Sequence, residues 1–305
     1  MNYEIIIIGG GPAGMSAALV LGRSRIKTLV INTENPRNIV TSHSHGFLTQ
    51  DGKHPTEIFN IAKQQLSKYT SVNYKKEKAI DIKKENNIFF IETEDNSYSA
   101  KRVIIATGHI DNIADIGIDG LTEVYGKSIY PCPFCDGYEM ADKKLAVIGD
   151  AVMAPMFSKT ISHWSKDVIV FTNGEKVENK ELVSNLQKNK IQIVEKKINR
   201  LISSQGLLIE VELEDGSVIK REGGFIPDTK SIESTVFAKK MNISTEVGHF
   251  GMEFYKVDDN KETDIKGLYI IGDARTGWSG VISSAAEGSD VAAAITHQII
   301  DENWL

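Results

Sequence analysis

The sequence predicts an α/β protein with two nucleotide-type βαβ units. Three observations carry this. A strand-length apolar run leads directly into GGGPAG at residues 9–14, a similar run leads into Gly-Asp at 144–150, and near the end GLYIIGDA at 267–274 repeats the pattern. At 305 residues and 41% hydrophobic, the chain is long enough for two domains of ordinary size.

Taken in order, YEIIII (3–8) is a continuous apolar run of strand length, and PAGMSAALVLGRSR after the glycines has helical Ala/Leu content. KTLVIN (27–32) is a second buried strand, which completes a βαβ unit of about 30 residues. RVIIATG (102–108), KLAVIGD (144–150), DVIVFTNG (167–174) and GLYIIGDA are further short runs that reach glycine. Between 144 and 174 a second βαβ unit is visible, with AVMAPMFSKTISHWS as its helix and Pro155 tolerable only near the first turn. IFFIETEDNSYSAK (88–101) and LLIEVELEDGSVIKR (207–221) alternate apolar and polar residues around Asp-Asn or Asp-Gly turns, so one hairpin belongs to each domain. The family resemblance carried by the motifs below implies boundaries of 1–112 with 245–305 for the first domain and 113–244, inserted in it, for the second.

The charge balance is 35 basic against 41 acidic residues, a net charge of -6 with no basic block. That leaves no electrostatic footprint for nucleic acid or an anionic membrane. The first apolar run lacks a basic leader and is too short to span a bilayer, which predicts a cytoplasmic protein. Both cysteines, Cys132 and Cys135, lie in YPCPFCDGYEM (130–140). In a reducing compartment such a pair is a redox or metal group rather than a staple. No second Cys pair or His cluster accompanies it, so no metal is expected.

GGGPAG fits G-x-G-x-x-G through Gly9, Gly11 and Gly14, after a strand and opening a helix at Pro12 and Ala13. Glycines permit a tight turn and close backbone approach, and the helix N-terminus offers N–H donors to a pyrophosphate. An acid for the ribose hydroxyls is expected about 20 residues on. Asn32 ends that strand, with Glu34 two positions later.

GGGPAG, IIATG (104–108), Cys-x-x-Cys-Asp-Gly (132–137) and YIIGDA followed by SSAAEG, in that order, resemble the low-molecular-weight thioredoxin reductase family. The resemblance implies a glutathione-reductase-like pair of Rossmann-type domains, with FAD lying across the first and last segments. Its contacts would be Gly9, Gly11, Pro12, Ala13, Gly14, Asn32, Glu34, Asn38, His45, Ala106, Thr107, Gly108, Gly272, Asp273, Gly280 and Val281. Asp273 would serve the ribityl or phosphate side. The helix from Val281 would aim its amides at the flavin's pyrimidine end, and Gly280 stands where the family commonly has Gln. By the same resemblance Cys135 faces the flavin, Cys132 exchanges with substrate, and Asp136 manages the thiol proton. PRN (36–38) and HGFLTQDG (45–52) are similar to a narrower branch that includes dithiol oxidases closing disulfides in gliotoxin- and holomycin-type products. Those oxidases usually carry His at the place of Asp136, so Asp136 leans toward reductase-like chemistry. His43 and His45 are candidate acid–base groups.

The pyridine-nucleotide motif departs from the family's pattern. VIGDAVMAPMF presents Gly149, then Ala151 in place of the middle glycine, then Ala154, with Asp150 adding negative charge. No arginine follows the next strand in VFTNGEKVENKEL to pair a 2′-phosphate, and EGGFIPDTKSIES is shortened. Together these predict NADPH binding that is weak, altered or lost. The electron donor is then a pyridine nucleotide, a ferredoxin-type protein, or a dithiol whose electrons pass on to oxygen. The partner is a thioredoxin-like protein or a small dithiol or disulfide, and the resemblance implies a homodimer. A reading from another class is a non-catalytic flavin redox sensor.

Overall fold

The computed structural model describes residues 2–248 and 253–304. β1 (Asn2–Ile8), α1 (Pro12–Arg23) and β2 (Thr28–Asn32) form the expected βαβ unit, with Ile5 opposite Thr28 in a parallel pair. α2 (Pro55–Leu66) and β3 (Val72–Lys76) extend the sheet beyond β2. β4 (Ala79–Glu85), β5 (Ile88–Thr93) and β6 (Ser97–Ile105) form an antiparallel meander. β6 serves two purposes along one edge. Its first half pairs antiparallel with β5, and its second half pairs in parallel with Leu268–Ile270 from the end of the chain. The other edge of β6 lies along β1. The hairpin expected at 88–101 is thus two strands of this meander.

The central unit is a five-stranded, all-parallel sheet. Its order is Gln192–Val194, Val168–Phe171, Leu145–Ile148, Gly223–Phe225, Ile129–Tyr130. The strands Leu145–Ile148 and Val168–Phe171 are buried at every position, as continuous apolar strands covered on both faces must be. Met153–Ile161 is the helix between them, and Pro155 sits in its first turn. The hairpin expected at 207–221 gains a third strand, Ile198–Ser204, through a turn at Gln205 and Gly206 whose φ values are 54° and 82°. That small sheet buries Leu201, Leu208, Val211 and Leu213 against Ile148 and Phe171.

The chain leaves the first unit through β7 (His109–Ile110) and returns beside it, because Ile232–Glu233 pairs antiparallel with β7. Phe237, Ala238 and Ile243 pack in the same core as Ile6, Leu29, Phe89 and Leu268. The return therefore precedes residue 245; the segment carries only a short helix, Phe237–Lys240, and has no strand periodicity to announce it. The last helix starts at Val281, as expected, and runs to Trp304. It crosses α1 closely enough that a Cβ on Gly288 would lie 2.0 Å from the Ala13 carbonyl oxygen. Among the described residues no helix is long and apolar enough to cross a membrane.

Candidate active site

β1 delivers Gly9 with φ +107°, where a Cβ would sit 2.2 Å from the Ala106 carbonyl oxygen. A Cβ on Gly14 would sit 1.9 Å from the Gly9 carbonyl oxygen, so both positions require glycine on steric grounds alone. Gly11 faces open space, with nothing within 4 Å of its absent Cβ. It caps α1 without a side-chain hydrogen bond, Pro12 opens the helix, and no acidic residue occupies the first turn. The N-terminal amides and positive dipole end of α1 are thus presented to an open cradle that fits the pyrophosphate of FAD.

Several of the other expected contacts lie around this cradle, whereas His45 lies against Glu139 of the redox segment. Ala106, Thr107 and Gly108 follow β6, and Gly272 packs 3.2 Å (ideal Cβ) from the Ala13 methyl. Asp273 accepts from Ser279 N and Oγ at 2.8 Å each, and its second oxygen accepts from Arg37 Nη1 at 3.1 Å. Gly280 has φ +74° and open space beside it, just before the helix at Val281. Asn32 packs against Gly10 and donates to the Tyr74 hydroxyl at 3.0 Å. Tyr74 in turn donates to Glu34, which Lys63 at 2.6 Å and Lys76 at 3.0 Å also hold. The hydrogen bond from Lys63 leads in pulling the Glu34 carboxyl down to about 2. An ionised acceptor therefore stands at the end of β2, where the ribose of a dinucleotide lies in this fold. Asn38 donates to Ser44 Oγ at 3.3 Å on the loop that follows.

In the central unit, Pro133–Asp136 is a single helical turn with Cys132 as its N-cap. Both thiols are free, and the Cys135 Sγ donates to the Cys132 Sγ at 2.8 Å. That donation, opposed by burial and helped by the amides of Cys135 and Phe134, lowers Cys132 to about 7. The proton held between the sulfurs, together with burial, pushes Cys135 well up. Cys132 therefore carries the thiolate. Burial, and then the Cys132 charge, push Asp136 up to about 7. A Cβ on Gly137 would lie 2.8 Å from the Trp164 ring, so this glycine lets Trp164 back the redox turn. Phe134 meets the same indole edge-on at 5.6 Å. Phe134 and Tyr138 are 78% and 85% exposed, so the turn shows apolar surface to an incoming partner.

The redox turn meets the first unit at the loop after β2. His45 Nε2 lies 3.5 Å from Glu139 Oε1, and Val40 packs under Gly126. Beside this contact Arg37 ties the two units together. Its guanidinium donates to Asp111 at 3.0 Å, to Asp273 and to the Gly277 carbonyl at 2.9 Å, and lies 4.5 Å over the Trp278 ring. Asp111 also accepts from Thr229 at 2.6 Å and from Tyr125 in the central unit at 2.7 Å. Although burial opposes it, this set of donors keeps Asp111 below the usual carboxylate range. An Asp111→Ala protein would leave the Thr229 and Tyr125 hydroxyls without this acceptor and Arg37 with only Asp273 and the Gly277 carbonyl. Its expected loss is about 3–5 kcal/mol of stability, measured by denaturant unfolding. Arg37, Asp111 and Tyr125 were not singled out as site residues in the sequence, where only PRN hinted at the first. Glu287, whose Oε2 accepts from Gly272 N at 2.6 Å, was likewise hidden within SSAAEG.

The central unit's own nucleotide loop is closed. Asp150 Oδ1 accepts from the amides of Val152 at 2.8 Å and Met153 at 2.6 Å, and Glu175 Oε2 accepts from Ala151 N at 2.9 Å. Pro227 lies beside Gly149, 3.4 Å from its ideal Cβ. The amides that α1 leaves open are here engaged by the chain's own carboxylates. The sequence showed Asp150 and the missing arginine, but the part of Glu175 is visible only in three dimensions.

Residues 3–290 match the pyridine nucleotide-disulphide oxidoreductase family. The chain is 38% identical over 182 residues to a probable thioredoxin reductase of Arthroderma benhamiae, spanning 57% of this chain and 44% of that one. It is 27% identical to thioredoxin reductase aclD of Aspergillus oryzae over 97% of this chain and 96% of the relative. The solved structure of TrxB from Bacillus anthracis superposes with a TM-score of 0.91 at 34% identity, over 99% of both chains. The chain therefore belongs to the pyridine nucleotide-disulphide oxidoreductase family, and within it is a thioredoxin reductase-like, FAD-dependent disulfide oxidoreductase.

Proposed function

We propose that this enzyme passes electrons between FAD and a thiol or disulfide partner through Cys132 and Cys135, without NADPH bound at its central domain. The observation that carries this is the contrast between two helix N-termini: the amides ahead of α1 face open space, whereas those ahead of Met153–Ile161 are held by Asp150 and Glu175. A nucleotide phosphate would have to displace two carboxylates and tolerate their charge. FAD, when bound, supplies a two-electron donor and acceptor. The glycine loop and Asp273 would hold it, and Asn32 and Glu34 would serve its ribose.

Toward a disulfide partner, the Cys132 thiolate attacks one partner sulfur, forming a mixed disulfide and releasing one partner thiolate. Cys135 then gives its proton to Asp136 and attacks the Cys132 sulfur, which frees the second partner thiolate. The partner gains two electrons and the pair becomes a disulfide. In the opposite direction a partner dithiol would reduce that disulfide, becoming a disulfide itself and leaving Cys132 and Cys135 as thiols, and bound FAD would supply the route for those two electrons to oxygen. The occupied nucleotide loop favours this second direction for a small dithiol, since it needs no separate donor site. A thioredoxin-like protein and a ferredoxin-type donor are the alternatives. The family resemblance also supports a cytoplasmic homodimer, which sedimentation of the purified protein would check.

The test is anaerobic mixing of the yellow holoprotein with NADPH, NADH, reduced ferredoxin or dithiothreitol, following bleaching of the flavin's visible band. Dithiothreitol is expected to bleach it and the nicotinamides to leave it yellow. Fast bleaching by NADPH would overturn the proposal. Oxygen uptake with dithiothreitol would support the oxidase direction, and thioredoxin-coupled turnover the reductase direction.

A further inference from the structure

The chain passes between its two units twice, out through β7 to Asp111 and Asn112 and back from Thr229 to Ile232–Glu233. Asn112 N donates to the Thr229 carbonyl at 3.0 Å and Ser234 N to the Gly108 carbonyl at 3.1 Å, so the two passages run side by side. Units joined by so narrow a crossing turn about it unless something pins them.

Asp111 lies in that crossing, and both units converge on it. From the first unit the Arg37 Nε donates to it at 3.0 Å, while the same guanidinium donates to Asp273 at 3.1 Å and to the Gly277 carbonyl at 2.9 Å. From the return passage Thr229 donates to it at 2.6 Å, and from the central unit the Tyr125 hydroxyl donates to its second oxygen at 2.7 Å. Tyr125 is close in sequence to the redox turn. It bridges to Ile129, Gly126 N donates to the Ile129 carbonyl at 2.9 Å, and Ile129–Tyr130 leads through Pro131 into Cys132. A Cβ on Gly126 would lie 2.8 Å from the Val40 carbonyl oxygen, so the units meet tightly here. The line Asp273, Arg37, Asp111, Tyr125 thus runs from the flank of the FAD cradle to the strand that carries the redox pair. Cys132 is only 9% exposed, although Phe134 in the same turn is open to solvent. A small thiol or disulfide can reach so recessed a sulfur, whereas a folded protein reaches it only if the turn swings out.

We propose that Arg37, Asp111 and Tyr125 are positioning residues that hold the redox turn against the FAD cradle throughout turnover, and so confine exchange at Cys132 to small thiols and disulfides. The proposal rests on the reading that the Cys132–Cys135 pair exchanges electrons with FAD. It names the substrate class by size, because the clasp and not the chemistry of the sulfurs excludes a protein partner.

The experiment compares alkylation of the reduced holoprotein by iodoacetamide and by a polyethylene-glycol maleimide, each rate scaled to that on glutathione. The parent should react readily with the small reagent and slowly with the bulky one. Tyr125→Phe removes only the hydroxyl, and Arg37→Gln removes the charge from the other end. Each should speed bulky labelling roughly tenfold, as loss of a hydrogen bond to a charged group predicts. Each should also raise flavin reduction by reduced thioredoxin, relative to reduction by dithiothreitol, by a similar factor. Low denaturant should leave the labelling rate unchanged, because turning about a crossing exposes little surface, whereas labelling through unfolding climbs with denaturant. Bulky labelling of the parent as fast as small labelling, rates unmoved in both variants, or a steep denaturant dependence would overturn the proposal. A parent that dithiothreitol does not bleach, but that labels as expected, would overturn the exchange reading and leave the clasp standing.

Discussion

A Cys135→Ser protein should attack a partner disulfide and then fail to let it go. Cys132 carries the thiolate because Cys135 donates to it at 2.8 Å and two amides point at it, which places the first attack on Cys132. Release needs the second sulfur, and serine cannot complete it. The expected product with glutathione disulfide or an aromatic disulfide is a stable mixed disulfide on Cys132, seen as added mass on the intact protein. Dithiothreitol should no longer bleach the flavin in this variant. Cys132→Ser should neither trap a partner nor turn over. The trapping rate has a pH dependence of definite sign. It rises as the Cys132 thiolate forms around pH 7 and levels off above. Full turnover by Cys135→Ser, or trapping by Cys132→Ser, would reverse the assigned order of the two sulfurs.

What could be read in the sequence follows the range of the interactions involved. Gly9 and Gly14 are legible because their demand is local: the backbone of β1, α1 and Ala106 leaves no room for a Cβ, and the spacing records it. The apolar runs of β1, β2 and Leu145–Ile148 are legible because strands buried on both faces need no pattern beyond continuity. β3 carries VNYKK, with no fully buried position, and so leaves no such trace. The tie between Arg37 and Asp111 joins residues 74 apart, and its third member, Tyr125, is an ordinary tyrosine until the fold brings it to Asp111. The nucleotide loop lies between these cases. Ala151 and Asp150 were visible as departures, but the hydrogen bond of Glu175 to Ala151 N depends on how the following strand is placed. The return to the first unit was expected at 245, and its earlier start left no trace because Phe237 and Ala238 reach that core from a single helical turn.

Asp136→Asn should make the enzyme slower and, above neutral pH, more stable. The two effects share one cause. Burial and the neighbouring thiolate push Asp136 up to about 7 from an ordinary value of 3.8. Between these values the native state holds a proton that the unfolded state has lost, so stability falls as pH rises through that window. Above about pH 7 the full penalty is present, of the order of a few kcal/mol for a shift of this size. Asparagine does not titrate and keeps a similar shape. The difference in unfolding free energy between variant and parent should therefore be small near pH 4, grow up to about pH 7, and stay constant beyond. Catalysis should move the other way. Without a group to accept the Cys135 proton, flavin reduction by dithiothreitol should drop by about 10²–10⁴-fold and lose its inflection near neutrality. Parallel stability curves for parent and variant would refute the buried, proton-holding acid, and an unchanged rate would refute its role in the exchange. If both outcomes hold, the place of Asp136 beside Cys132 and Cys135 is set by the exchange chemistry and not by packing.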